Sequence, residues 1–395
     1  MSQRNIARSS KFNINVDFNK SQGCMLYDTN TEKEYLDFFG MYASLPLGYN
    51  HPIFKTKQFI DEYMAASSFK INNCEFTSNE TLEFDHTFED FAGLKLFDNF
   101  HYTCTGALAV EAAIKTCIEY KQFQTPRVLS FNNSFHGINS YGGFVTSRFP
   151  GADARLNGFP EIFSVKVDCE LHQVEKQLEN NNITCVLVEP IQCSAGDIYQ
   201  DIKFFKGLRE LCDTFNVPLV FDEIQIGFGG TGKLWYFQHL DIVPDIVIFG
   251  KKTQLSGIMA KDFLGKIFTP ERSIRLEVTW DGDVSDMIRC KHIIKAYKKY
   301  NILDNVKRQG KLLMDGLSEL DAIQNLRGTG LIVGFDLTST VERDTLVKAL
   351  YNNGLICNST GTKSIRLRPN LAISEKDTLS AIDIFKRSLG GLQLC

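Results

Sequence analysis

The sequence has little of what marks several protein classes. Only 10 of its 395 residues are proline and only 2 are tryptophan. No apolar run approaches the roughly 18 residues of a membrane-spanning helix. The opening stretch, MSQRNIARSSKFNINVDFNK, has no apolar core, so a secretory leader is not expected. Neither charge sign dominates: 43 Lys and Arg stand against 47 Asp and Glu. The net charge of −4 gives no field that would draw in nucleic acid or an anionic membrane. None of the 11 cysteines form a C-x-x-C pair, so neither a zinc site nor a redox dithiol is signalled. Thiols scattered in this way suit a reducing cytoplasm.

What the chain does have is apolar mass. It is 43% hydrophobic and carries 31 phenylalanines, which excludes disorder and supplies a large core. Its length suggests two or three domains. Through the middle, short β-rich runs alternate with helical patterns. Strands are expected at His101–Cys104, Arg127–Phe131, Cys185–Glu189, Val217–Glu223 and Asp245–Phe249. Helices are expected over 105–121 and Lys203–Phe215. This alternation implies an α/β fold with a mostly parallel sheet covered on both faces. From about Val284 the texture changes to one long helical stretch reaching Leu320, then short strands, then a helix over Glu375–Leu389. That order suggests a smaller α+β domain. Near the N-terminus, Asp28-Thr-Asn-Thr reads as a hairpin turn. The expected division is an N-terminal segment, 1–50, packing with the small domain; a large domain, 51–283; and a small C-terminal domain, 284–395.

Residues 227–233, GFGGTGK, satisfy two phosphate-cradling patterns. Leu234 stands where a P-loop needs Ser or Thr, and Glu223-Ile-Gln-Ile separates the first glycine from the preceding strand. A nucleotide site, and with it a nicotinamide dehydrogenase, is therefore disfavoured. The stronger signal is FDEIQ (221–225) with FGKK (249–252), each closing an apolar strand. Asp222 and Lys251 at neighbouring strand ends would form either a salt bridge capping the sheet or part of a site. Cys104-Thr-Gly-Ala lies where a strand turns into a helix and would offer free amides to an anion, or serve as a tight turn. Phe135-His136 could offer an aromatic face, and Thr279 a hydroxyl in a polar loop. Together these are the parts of a pyridoxal phosphate site: anion cradle, carboxylate for the ring nitrogen, lysine for the aldehyde, flat surface for the ring.

The segment FDEIQIGFGGTGKLWYFQHLDIVPDIVIFGKKTQ resembles the class III (ornithine and ω-amino acid) aminotransferases, and among them the lysine ε-aminotransferase branch. Further matching stretches are FFGMYASLPLGYNHP (38–52), TGALAVEAAIK (105–115), SFHG (134–137), VEPIQ (188–192), TWDGD (279–283), RGTGLIVGFDL (327–337) and IRLRPNL (365–371). The 29-residue spacing of Asp222 and Lys251 fits as well.

The resemblance implies a fold type I pyridoxal phosphate enzyme. Lys251 would form the Schiff base and shuttle protons, with Lys252 as its neighbour. Asp222 would pair with the ring nitrogen. Gly106 and Ala107 would bind the phosphate. Phe135 would stack on the ring with His136 beside it, and Gln225 would contact the ring hydroxyl. Thr279 would reach the partner subunit's cofactor, implying a homodimer with shared sites. Glu189, Arg366 and Arg368 would serve the substrates, although Glu189 and one of the arginines could equally be structural. The reaction implied is transfer of the terminal amino group of a lysine-like ω-amino acid or amine to 2-oxoglutarate, giving an aldehyde and glutamate. Other pyridoxal phosphate chemistry, such as an aminomutase, is the alternative. Two positions depart from the lysine enzymes. Ile138 replaces an arginine that grips a substrate carboxylate, and Ser194 replaces a glutamate that shields another arginine. These changes suit an amine donor without a carboxylate at the usual distance.

Overall fold

The computed structural model describes residues 12–147 and 163–391. The first eleven residues of the N-terminal segment and the last four of the chain lie outside them.

The strands are apolar on both faces, and this dictates their position. In Ile246–Phe249, Ile246 and Ile248 pack into one cluster while Val247 and Phe249 pack into another. Such a strand must lie within a sheet covered on both sides. Seven strands build it, in the spatial order Asn99–Thr103, Ser256–Ala260, Ile246–Phe249, Leu219–Asp222, Ile183–Val188, Arg127–Phe131, Ser164–Val167. Six run parallel; Ser256–Ala260 is antiparallel to both neighbours. The α/β reading with a mostly parallel sheet is therefore observed.

Helix Gly106–Lys121 follows the edge strand directly. Thr105 caps it, its Oγ1 accepting from the Leu108 amide. Ala109, Val110, Ala113 and Ile114 bury its inner face against the sheet. Left-handed Gln122 ends it.

The helical stretch expected from Val284 to Leu320 is two helices, Val284–Lys299 and Ile302–Ser318. Asn301 adopts φ 49° and breaks the run, a conformation asparagine tolerates better than most residues. Next come the strands of a four-stranded antiparallel sheet, in the order Gln324–Thr329, Ile332–Asp336, Ser364–Leu367, Asn358–Thr360. Helix Glu375–Gly390 closes the described chain.

The N-terminal hairpin forms as its turn residues suggest. Met25–Asp28 pairs with Lys33–Asp37, and Asp28 accepts from the Asn30 amide and the Thr31 hydroxyl. Leu355–Ile356 then adds to Lys33–Asp37 in parallel. The hairpin is thus sewn to the C-terminal part of the chain by a shared sheet, and on this pairing we propose the division at about 50 and 283. No helix of the described residues is long and apolar enough to cross a membrane.

The parallel strands point their carboxyl ends to one edge, where a crevice opens. Ser256 reaches the same edge because its strand runs the other way.

Candidate active site

At that edge lies a cavity of about 210 Å³. Eight residues singled out in the sequence line it: Gly106, Ala107, Phe135, His136, Glu189, Asp222, Gln225 and Lys251. Each stands at a strand's carboxyl end or within a few residues after it, so the sheet register brings together residues up to 145 positions apart.

Lys251 follows Ile246–Phe249 through Gly250 and takes φ 56°. Among the described residues its Nζ has no ion pair or hydrogen bond. Burial and then the charge of Arg366 push the lysine below its ordinary pKa, while Asp222 opposes them. Loss of its proton is thereby eased. Lys252 points elsewhere. It is buried and donates to the Gln225 carbonyl, with its pKa brought down to about 7 by burial and by Lys251.

Asp222 and His136 form a buried pair, Nδ1 to Oδ2 at 2.9 Å. The carboxylate can only accept, so Nδ1 donates and the proton is fixed on that nitrogen. Nε2 is left buried with no partner among the described residues. His136 lines the cavity beside Phe135 and at the same time backs Asp222.

Glu189 is buried, and its carboxyl accepts from the amides of Phe135 (2.6 Å) and Cys193 (3.4 Å). Burial, with a smaller push from Asp222, raises its pKa to about 8. These contacts make it a brace between the Phe135 and Cys193 loops, at the wall of the cavity that it lines.

The two arginines of IRLRP also separate. Arg368 is buried against Asp197 (2.5 Å) and donates to the carbonyls of Val333 and Leu367. That ion pair fits the structural role that one of the two arginines could take. Arg366 is buried, and among the described residues its hydrogen-bond partners are neutral, the Cys193 carbonyl (3.0 Å) and Gln225 Oε1 (3.3 Å). A buried guanidinium without a carboxylate beside it is a ready anion site. Thr279 is exposed on a loop and does not line this chain's cavity. Ile138 is exposed, and Ser194 is half-buried.

Sequence reasoning missed Ile191, Ile224, Ile226 and Ser256 in the lining. The isoleucines read as ordinary core, and the reversed direction of the Ser256 strand leaves no mark in its composition.

The donor set fits one kind of group, a flat phosphorylated heterocycle bearing a carbonyl. The amides of Gly106 and Ala107 open the helix with no acceptor among the described residues, which suits a phosphate. The braced carboxylate suits a protonated ring nitrogen, Phe135 the ring face, and the free amine the carbonyl.

The family model for "Aminotransferase class-III" matches residues 6–389. An L-lysine-epsilon aminotransferase of Mycobacterium bovis is 33% identical, over 95% of this chain and 92% of its own length. One from Streptomyces clavuligerus is 31% identical, over 96% and 91%. The solved lysine aminotransferase of M. tuberculosis superposes with a TM-score of 0.91 at 31% identity, covering 98% of this chain and 97% of that one.

Proposed function

The chain belongs to the class-III aminotransferases and is a transaminase, and on that premise we propose that it moves the terminal amino group of a lysine-like ω-amino acid or amine to 2-oxoglutarate. The observation that carries this reading is the free amine of Lys251 in one cavity with the Asp222–His136 pair and the open amides of Gly106 and Ala107.

We assign pyridoxal 5'-phosphate as the cofactor. Gly106 and Ala107 would hold its phosphate, Asp222 its ring nitrogen, Phe135 its ring face, Gln225 its hydroxyl and Lys251 its aldehyde carbon. When bound, it supplies an electron sink for charge developing at the carbon that bears the amine.

The chain's own groups do the rest. Lys251, its pKa lowered by burial and Arg366, takes the proton from that carbon and returns it on the other side of the exchange. Asp222, oriented by His136, holds a positive charge on the ring nitrogen. Arg366 grips the carboxylate of glutamate or 2-oxoglutarate. Thr279 serves the neighbouring site in a homodimer, and the scattered cysteines suit a cytoplasmic enzyme.

A second reading of the amine donor rests on Ile138 and Ser194. Ile138 has no group to grip a carboxylate and Ser194 carries no charge to shield an arginine, so a donor lacking an α-carboxylate would be accepted.

The test is a donor panel (lysine, ornithine, 4-aminobutyrate and plain diamines) against 2-oxoglutarate, with glutamate as readout. Preference for lysine supports the first reading, and preference for diamines the second. No glutamate from any donor would remove the proposed reaction. Lys251→Ala should cut turnover by at least about 10³-fold.

A further inference from the structure

The motif FGKKTQ ends on a residue that the reaction has not used, Gln254. It closes the turn begun by Lys251 and has φ 65° itself. Its amide donates to the Lys251 carbonyl at 2.9 Å. Its side-chain Nε2 donates to the same carbonyl at 3.3 Å and to the Ser44 carbonyl at 2.5 Å.

Ser44 ends an unusual piece of backbone. Gly40, Met41, Tyr42 and Ala43 have φ of 54°, 50°, 58° and 67°, four left-handed residues in a row. L-residues avoid this conformation, because Cβ crowds the following carbonyl. It persists only where surrounding contacts over-determine it. Here they do. The Ser44 amide and hydroxyl close the turn onto the Gly40 and Met41 carbonyls. A Cβ on Gly40 would lie 2.1 Å from the Arg368 carbonyl oxygen. The turn also carries the Tyr42 ring to within 6.0 Å of the Arg366 guanidinium.

One side-chain amide therefore ties the turn that begins with left-handed Lys251 to the end of the left-handed Gly40–Ala43 run, which faces Arg366. We propose that Gln254 is a positioning residue: by holding the Ser44 and Lys251 carbonyls together, it keeps Lys251 left-handed and its Nζ aimed into the cavity. The proposal rests on the transaminase reading, in which Lys251 moves the proton. If the amide is lost, the lysine turn can relax toward negative φ and carry Nζ off its line.

The test uses holoenzyme with Gln254→Met, which keeps the length and removes the side-chain donors, and Gln254→Glu, which sets a carboxylate against two carbonyls. Turnover should fall roughly 10- to 100-fold, more in Q254E. KM for the keto acid, set by Arg366, should change by less than about twofold. The pH midpoint of the bound cofactor's visible absorption should move by about half a unit or more. A residue that only packs would lower the thermal midpoint and leave the absorption midpoint in place. Wild-type turnover together with a wild-type absorption midpoint in Q254M would overturn the proposal. Should Q254M not fold, Gln254→Asn, too short to reach both carbonyls, decides by the same absorption midpoint. A wild-type protein that binds cofactor but makes no glutamate would count against the proposed reaction, and the absorption midpoints would still judge Gln254.

Discussion

Arg366 and Arg368 are two residues apart with the same side chain, yet the structure gives them different work. Arg368 faces Asp197, which is fully buried, whereas the hydrogen-bond partners of Arg366 among the described residues are neutral. Their substitution should therefore separate substrate binding from stability. Arg366→Leu should raise KM for 2-oxoglutarate by about 10- to 100-fold, the worth of a charge-assisted hydrogen-bonded contact, with little loss of stability. Arg368→Leu strands the Asp197 carboxylate in the interior and should cost about 3–5 kcal/mol in urea unfolding. Steady-state kinetics and denaturation on both variants check the pair. Nothing in the string IRLRP distinguishes the two arginines; their partners are Asp197, 171 residues before Arg368, and the Cys193 carbonyl, 173 before Arg366.

Among the elements, helix Lys57–Ser67 buries no residue of its own within the described chain. It meets helix Val284–Lys299 through the Phe59 ring against His292, the Tyr63 ring under Arg289, and a set of charged contacts. Glu62 accepts from Lys291 Nζ at 3.0 Å and from His292 Nε2 at 2.9 Å, and both donors are buried. Burial alone would raise the Glu62 pKa, but the hydrogen bonds from His292 and Lys291 outweigh it and hold the carboxyl at about 2. An acid whose pKa is lowered by folding adds stability above its unfolded value, about 4.5. That stability is lost as the pH falls from there toward 2. Wild-type protein should consequently lose more unfolding free energy than Glu62→Gln between pH 6 and pH 3, while Glu62→Gln should be the less stable of the two at pH 6. Urea titrations at the two pH values check both statements.

At the scale of the whole molecule, the proposed homodimer places Thr279 of one subunit at the site built around Lys251 of the other. Its exposure, away from this chain's own cavity, is the supporting observation. Mixing Lys251→Ala with Thr279→Ala subunits and allowing exchange should then regenerate one intact site per hybrid dimer. With random pairing, about a quarter of wild-type activity should return. Activity no greater than the sum of the parents would show that the two residues act in the same subunit or not at all.

The sequence by itself determined the class of fold and most of the chemistry. Strands apolar on both faces, separated by helices, can satisfy their backbone and bury their side chains only as a mostly parallel sheet. Groups that are costly to bury at the strand ends, Asp222 and Lys251 above all, mark the edge where a ligand must repay that cost. Tertiary structure decided how those groups are partnered, because partnering depends on contacts between residues far apart in the chain. It set His136 behind Asp222, turned Glu189 into a brace and divided the two arginines. It also exposed the Gly40–Ala43 turn and its tie to Lys251 through Gln254. A run of left-handed L-residues is contrary to local preference, so no local pattern announces it; only the contacts that over-determine the turn make it stable.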